Sequence, residues 1–192
     1  MLHFPRRSCG HRLLASKIAA VIAFAVVAGG LAEAAPETDR EQLVVTAGNA
    51  LLDKLVGAWV LSGTMAGKHT IHDVTASRTL NGNYVRLDEI SRDRDAEGRP
   101  AYQATVFVGW NSRTKNYICI WLDSTAVANV GVTCTAQPRP NAIPFVFRDS
   151  RGRRFFENTF SYEVAANQWK WELNDLTHDK RTAFARVVLR QK

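Results

Sequence analysis

His69-x-x-His72-Asp73 brings together two imidazoles and a carboxylate, donor types that hold zinc and related cations. On a strand, however, alternate side chains share a face. His69 and Asp73 would then share one side and His72 would take the other, so the spacing predicts no metal centre. Asp93-Arg94-Asp95-Ala96-Glu97-Gly98 repeats the opening of a calcium loop, which asks for acidic residues at positions 1, 3 and 5, Gly at 6 and Glu at 12. The twelfth position is Ala104 and a strand-like run follows, so this segment reads as a polar hairpin tip. Arg148, Arg151, Arg153 and Arg154 surround Gly152. They suit peripheral contact with anionic lipid headgroups, set against the plainer reading of a solvated hairpin end. There is no Gly-x-Ser-x-Gly, no phosphate-binding glycine loop and no Cys-x-x-Cys. Nothing nominates a nucleophile or a base, and no cofactor is expected.

Aromatic residues mixed with a few polar ones give the better hint of function. On strands, Tyr84, Arg86 and Asp88 share a face, as do Cys119, Trp121 and Asp123, and as do Phe156, Asn158, Phe160 and Tyr162. Turned inward, such faces would make a small-molecule site with apolar walls and a few convergent polar groups. Tyr84 and Trp121 are the expected walls, and Arg86 and Asp123 the groups that orient a ligand. The alternative is a filled core built from the same residues. For Trp169 and Trp171, packing is the expected role.

Short strands carry these residues. Glu41–Val56 has Val44, Leu51, Leu52 and Leu55 at helical spacing. From Ala58 onward about ten strand-like runs follow, separated by turn residues such as Asn81-Gly82-Asn83 and Ser150-Arg151-Gly152. Every connection is short, so neighbours in sequence can pair as hairpins. The predicted fold is all-β: an up-and-down antiparallel barrel of about ten strands, closed to hide its edges, with one N-terminal helix. Cys119 and Cys134 would face each other in a hairpin centred between Ala126 and Val127. Facing Cβ atoms lie roughly 4.5–5.5 Å apart, near disulfide reach. Two buried thiols are the alternative.

The chain divides into residues 1–35, a lead-in and short helix over 36–57, and the barrel over 58–192. Arg6, Arg7, Arg12 and Lys17 precede the uncharged apolar run Ile18–Leu31, and Ala32-Glu33-Ala34 follows. That order reads as a cleavable secretory signal peptide, which predicts a periplasmic or secreted protein and a compartment permissive for disulfides. Cleavage would remove four basic residues and one acidic, taking the formal charge from +7 to +4. Such a charge suits solubility and argues against nucleic-acid binding.

LVGAWVLSGT, then RTLNGNYVRLDE, then EGRPAYQATVFVGWNSRTKNYICIWLDST form an ordered set. It resembles a lipocalin-like (calycin-type) domain of unknown function found in secreted bacterial proteins. The resemblance covers most of the chain after Leu52 and places Trp121-Leu122-Asp123-Ser124 in its most recurrent motif. Trp110-Asn111 departs from the commoner aromatic-Asp pair, and 136–158 matches loosely. The resemblance implies a barrel floor closed by Gly57-Ala58-Trp59, with Arg186 or Arg190 from the last strand lying over Trp59. It implies a small apolar or amphipathic ligand. Barrels of related shape also suggest His178 as a haem ligand, set against a solvated loop histidine.

Overall fold

A computed structural model describes residues 49–125, 132–177 and 180–192. The segment 1–35, residues 36–48 of the lead-in and His178 lie outside the described residues.

Ten strands run in sequence order around one sheet: β1 (Gly57–Met65), β2 (Lys68–Thr79), β3 (Tyr84–Ser91), β4 (Gln103–Asn111), β5 (Asn116–Asp123), β6 (Val132–Ala136), β7 (Ala142–Arg148), β8 (Arg154–Glu163), β9 (Gln168–Asp175) and β10 (Thr182–Gln191). Each pairs antiparallel with the next, and β10 returns to β1 to close the barrel. Turn chemistry sets the reversals. Leu80, Asn81 and Gly82 have φ of 50°, 57° and 81°, the left-handed conformations that Asn and Gly tolerate best. Leu80 adopts one despite its side chain and stays exposed.

Alternation decides what faces inward. Thr70, His72, Val74 and Ala76 of β2 are buried, as are Val85, Leu87, Glu89 and Ser91 of β3. Residues between them face out. Two glycines let the wall fit together. Gly63 stands opposite Val187 at the closing seam, and a Cβ there would lie 2.2 Å from the Arg186 carbonyl oxygen. The seam therefore needs a residue without a side chain. Gly109 stands opposite Tyr84, and a Cβ there would lie 2.7 Å from the Tyr84 ring. Tyr84 thus covers the bare backbone of a neighbouring strand from outside the barrel.

Residues 49–53 are helical and lead directly into β1. Leu52 and Leu55 are buried with Trp59 and Trp169. Trp59 Nε1 donates to the Leu55 carbonyl at 2.8 Å. Trp169 Nε1 donates to the Lys54 carbonyl at 3.0 Å. Two indoles thereby satisfy carbonyls at the helix C-terminal end and fix the helix to one end of the barrel. Gly57-Ala58-Trp59 begins the barrel as expected, whereas the helix ends earlier, at Asp53. The arginine contact is different from the expectation. Arg186 and Arg190 alternate with the buried Ala185, Val187 and Leu189, so both face outward while Trp59 faces in. Arg186 donates instead to the Leu173 and Ala185 carbonyls and to Asn174 Oδ1.

Cys119 and Cys134 are direct partners in the β5–β6 register and are joined as a disulfide, Cα atoms 5.0 Å apart. The bond secures a short strand. Among the described residues β6 has two registered pairs with β7, Cys134↔Phe147 and Thr135↔Val146.

Candidate functional site: a cavity with a polar floor

The helix closes one end of the barrel, and the other end holds a cavity of about 530 Å³. Its walls come from the strand ends distal to the helix. Met65 ends β1, Thr70 lies near the start of β2 and Ser91 ends β3. The volume lies within the range of small-molecule pockets, roughly 300–1,000 Å³.

The outer wall is aromatic. Trp121 meets Phe147 edge-on with centroids 6.2 Å apart. Phe147 meets Phe155 at 6.3 Å and Phe156 at 5.9 Å, and Phe156 meets Phe184 at 5.6 Å. All five line the cavity. Edge-to-face contacts of this kind add stability beyond area burial and present a continuous apolar surface.

Deeper in lies a polar relay on the β2–β3 wall. His72 Nδ1 is bonded to Glu89 Oε1, and both residues are almost fully buried, at 2% and 3% exposure. On the other ring edge, Thr70 Oγ1 lies 2.6 Å from His72 Nε2. With Glu89 ionised, Nδ1 carries the proton that the carboxylate accepts. Nε2 accepts from the Thr70 hydroxyl when the ring is neutral and donates to it when the ring is a cation. Tyr102 stacks on the imidazole with centroids 5.7 Å apart. Its hydroxyl accepts from Trp121 Nε1 at 3.3 Å. Burial and the nearby Glu89 charge push the Tyr102 phenol well above its ordinary value, so it stays protonated throughout the physiological range. Hydroxyl, imidazole and carboxylate stand in the order of a nucleophile, its base and the group that orients the base.

Across the barrel, the β8–β9 wall carries polar atoms without partners among the described residues. Both amide atoms of Asn158 and Nε1 of Trp171 are buried and unbonded. Both residues line the cavity. Asn158 faces Phe145 on β7 and Leu173 on β9, which offer it no hydrogen bond. Trp171 is held by stacking on Phe160, centroids 4.2 Å apart and planes within 9°. Leaving a buried polar group unsatisfied costs about 1–3 kcal/mol.

The residues singled out in the sequence separate cleanly. Trp121 and Asp123 line the cavity, where Asp123 also accepts from the Thr125 backbone and hydroxyl. Tyr84 and Arg86 do not line it, because the inward phase of β3 belongs to Val85, Leu87, Glu89 and Ser91. Arg86 pairs with Asp88 on the outer wall at 2.9 Å. Trp169 is packing, as expected, whereas Trp171 lines the cavity. Thr70, Glu89 and Tyr102 belong to no recognisable motif in the sequence. His72 stands out in the sequence only within His69-x-x-His72-Asp73, a spacing that predicts no metal centre. The His69–Asp73 cluster is divided between faces, and among the described residues no three His, Cys, Asp or Glu side chains converge as a metal site. Asp73 is held by Arg92 at 2.8 Å and Lys192 at 2.7 Å. In the Asp93–Gly98 segment, Asp95 accepts from the Glu97 and Arg99 backbones, consistent with a hairpin tip.

Most of the arginine hairpin is engaged locally. Arg148 donates to the Gly152 carbonyl, Arg153 pairs with Asp149 and Arg154 with Glu157. Arg139, Arg148, Arg154, Lys180 and Arg181 also border an open groove, lined with Glu157, on the outer wall.

The chain matches no protein-family model, and no curated protein is similar to it. The geometry of the barrel and its cavity therefore carries the functional argument.

Proposed function

We propose that this protein is a secreted or periplasmic lipocalin-like barrel that holds one small apolar or amphipathic molecule in the cavity at its open end. The supporting observation is the cavity itself. It is walled by Trp121, Phe147, Phe155, Phe156 and Phe184 and floored by a few polar groups, the composition expected of a ligand site. A barrel filled by its own side chains would leave no such space. Trp121 serves as a wall, and Asp123 orients the ligand at the mouth. The basic hairpin between β7 and β8 lies beside that mouth and suits contact with anionic envelope lipid.

Protein purified from its own host and examined by native mass spectrometry should carry a small molecule in one-to-one stoichiometry. Ligand-free protein should bind the neutral dye Nile red with a blue-shifted emission. Absence of both retained molecule and dye binding would remove the reading.

The Thr70–His72–Glu89 order favours a second reading, an acyl-transfer site in which Thr70 is the nucleophile. Turnover of p-nitrophenyl acetate that disappears in Thr70→Val would support it. Equal hydrolysis by both proteins would remove it.

A further inference from the structure

The two polar walls of the cavity are not alike, and the difference bears on what the cavity recognises. On the β2–β3 wall, Thr70, His72 and Glu89 satisfy one another. On the β8–β9 wall, Asn158 offers an N–H donor and a carbonyl acceptor side by side, and Trp171 offers one further N–H donor. Asn158 is 1% exposed. These two residues sit on adjacent strands with the same inward phase, Asn158 opposite Leu173 and Trp171 two positions away. That diagonal relation brings side chains within mutual reach of one bound group.

We propose that Asn158 and Trp171 form the head-group subsite of the cavity, and that the group they take is a neutral carboxamide or lactam. This deepens the ligand-binding reading proposed above and rests on it. An amide edge presents one acceptor and one donor, the complement of the Asn158 side chain. Its carbonyl oxygen has a second lone pair for Trp171 Nε1–H.

A carboxylate head fits less well. It would accept from Asn158 Nδ2 and Trp171 Nε1 but would set its own lone pairs against Asn158 Oδ1. Among the described residues lining the cavity, the carboxylates are Glu89, Asp93 and Asp123, and Lys68 is the only lysine or arginine. An ammonium head would answer Asn158 Oδ1 alone and oppose both N–H donors. Glu89, the buried carboxylate that might have attracted it, is already bonded to His72. The aromatic wall, from Trp121 through Phe147 to Phe184, then covers the apolar body of the ligand.

The test uses full-length protein stripped of any retained molecule, and three probes with one aromatic body: 2-naphthamide, 2-naphthoate and 2-naphthylmethylamine. Calorimetry at neutral pH should give the amide an affinity at least about tenfold above the other two. Asn158→Leu should bring the three probes to similar affinities while Nile red still binds. Trp171→Phe, which keeps the stack on Phe160 but loses the N–H, should weaken 2-naphthamide and 2-naphthoate, the two probes that accept from it, and leave 2-naphthylmethylamine unweakened. Retained Nile red binding with no preference for the amide, or a preference that survives Asn158→Leu, would overturn the head-group assignment and leave the ligand site standing. Failure of Nile red and every naphthalene probe to bind would overturn both.

Discussion

His72 on β2 and Glu89 on β3 meet diagonally on the inner face of the barrel, the imidazole Nδ1 bonded to the carboxylate and both residues out of contact with bulk water. A buried pair of this kind is expensive to break and much less expensive to replace. Its energetic signature is therefore a matter of comparing variants. Glu89→Leu alone leaves the imidazole without its partner and should cost about 3–5 kcal/mol. The double variant His72→Leu/Glu89→Leu should be less destabilised than the sum of the singles, as urea unfolding would show. Additive losses would mean that the two side chains are energetically independent.

The closing seam gives a sharper prediction. A methyl group at position 63 would fall 2.2 Å from the Arg186 carbonyl, whereas one at Gly67 would meet nothing within 4 Å. Both glycines have positive φ, so each substitution carries backbone strain, and Gly63→Ala adds the clash with β10. Gly63→Ala should be the more destabilising of the two by about 1–3 kcal/mol, read by thermal or urea unfolding. Equal losses would place the seam further apart than described.

The disulfide should matter more than a single crosslink in a long strand would. It ties β6 to β5 where, among the described residues, β6 has two registered pairs with β7. Cys119→Ser/Cys134→Ser should lose about 2–4 kcal/mol in urea unfolding. Denatured, unreduced protein lacking the first 35 residues should show no free thiol. Two titratable thiols would contradict the bond.

Asp73 carries a pH-dependent contribution. Its hydrogen bonds to Arg92 and then Lys192 hold its carboxyl well below the usual carboxylate range. A lowered native pKa stabilises the fold fully above the unfolded value near about 4, and the contribution fades as pH falls through the native value. The group is more than a third exposed, so solvent screening keeps the effect small. Asp73→Asn should unfold at a lower temperature than the parent at neutral pH, and the gap should narrow toward strongly acidic pH. A gap that widens on acidification would reverse the assignment.

Much of this was legible in the sequence. Short connections and turn residues such as Asn81-Gly82 announced consecutive hairpins, and the Cys119–Cys134 spacing anticipated the β5–β6 register. The inward phase of β3 was less plain, because Tyr84, Arg86 and Asp88 look like a binding face. Val85 and Leu87 held the signal: apolar residues in phase with Glu89 and Ser91 mark the buried side, and so identify a carboxylate inside the barrel. His72 is likewise in phase with Val74 and Ala76. The diagonal meeting of His72 with Glu89, and the isolation of Asn158 between Phe145 and Leu173, depend on register between strands and could not be read from either strand alone. The outward turn of Arg186 and Arg190 followed from Ala185, Val187 and Leu189, whose alternation the resemblance to lipocalin-like floors obscured.

The cavity is the centre of the account, and a titration of ligand-free protein with Nile red tests it most directly. Saturation at one dye per chain, with Trp121→Ala weakening binding by about tenfold, is the predicted result. Dye uptake that never saturates, or an affinity that Trp121→Ala leaves unchanged, would contradict a site inside the open end of the barrel.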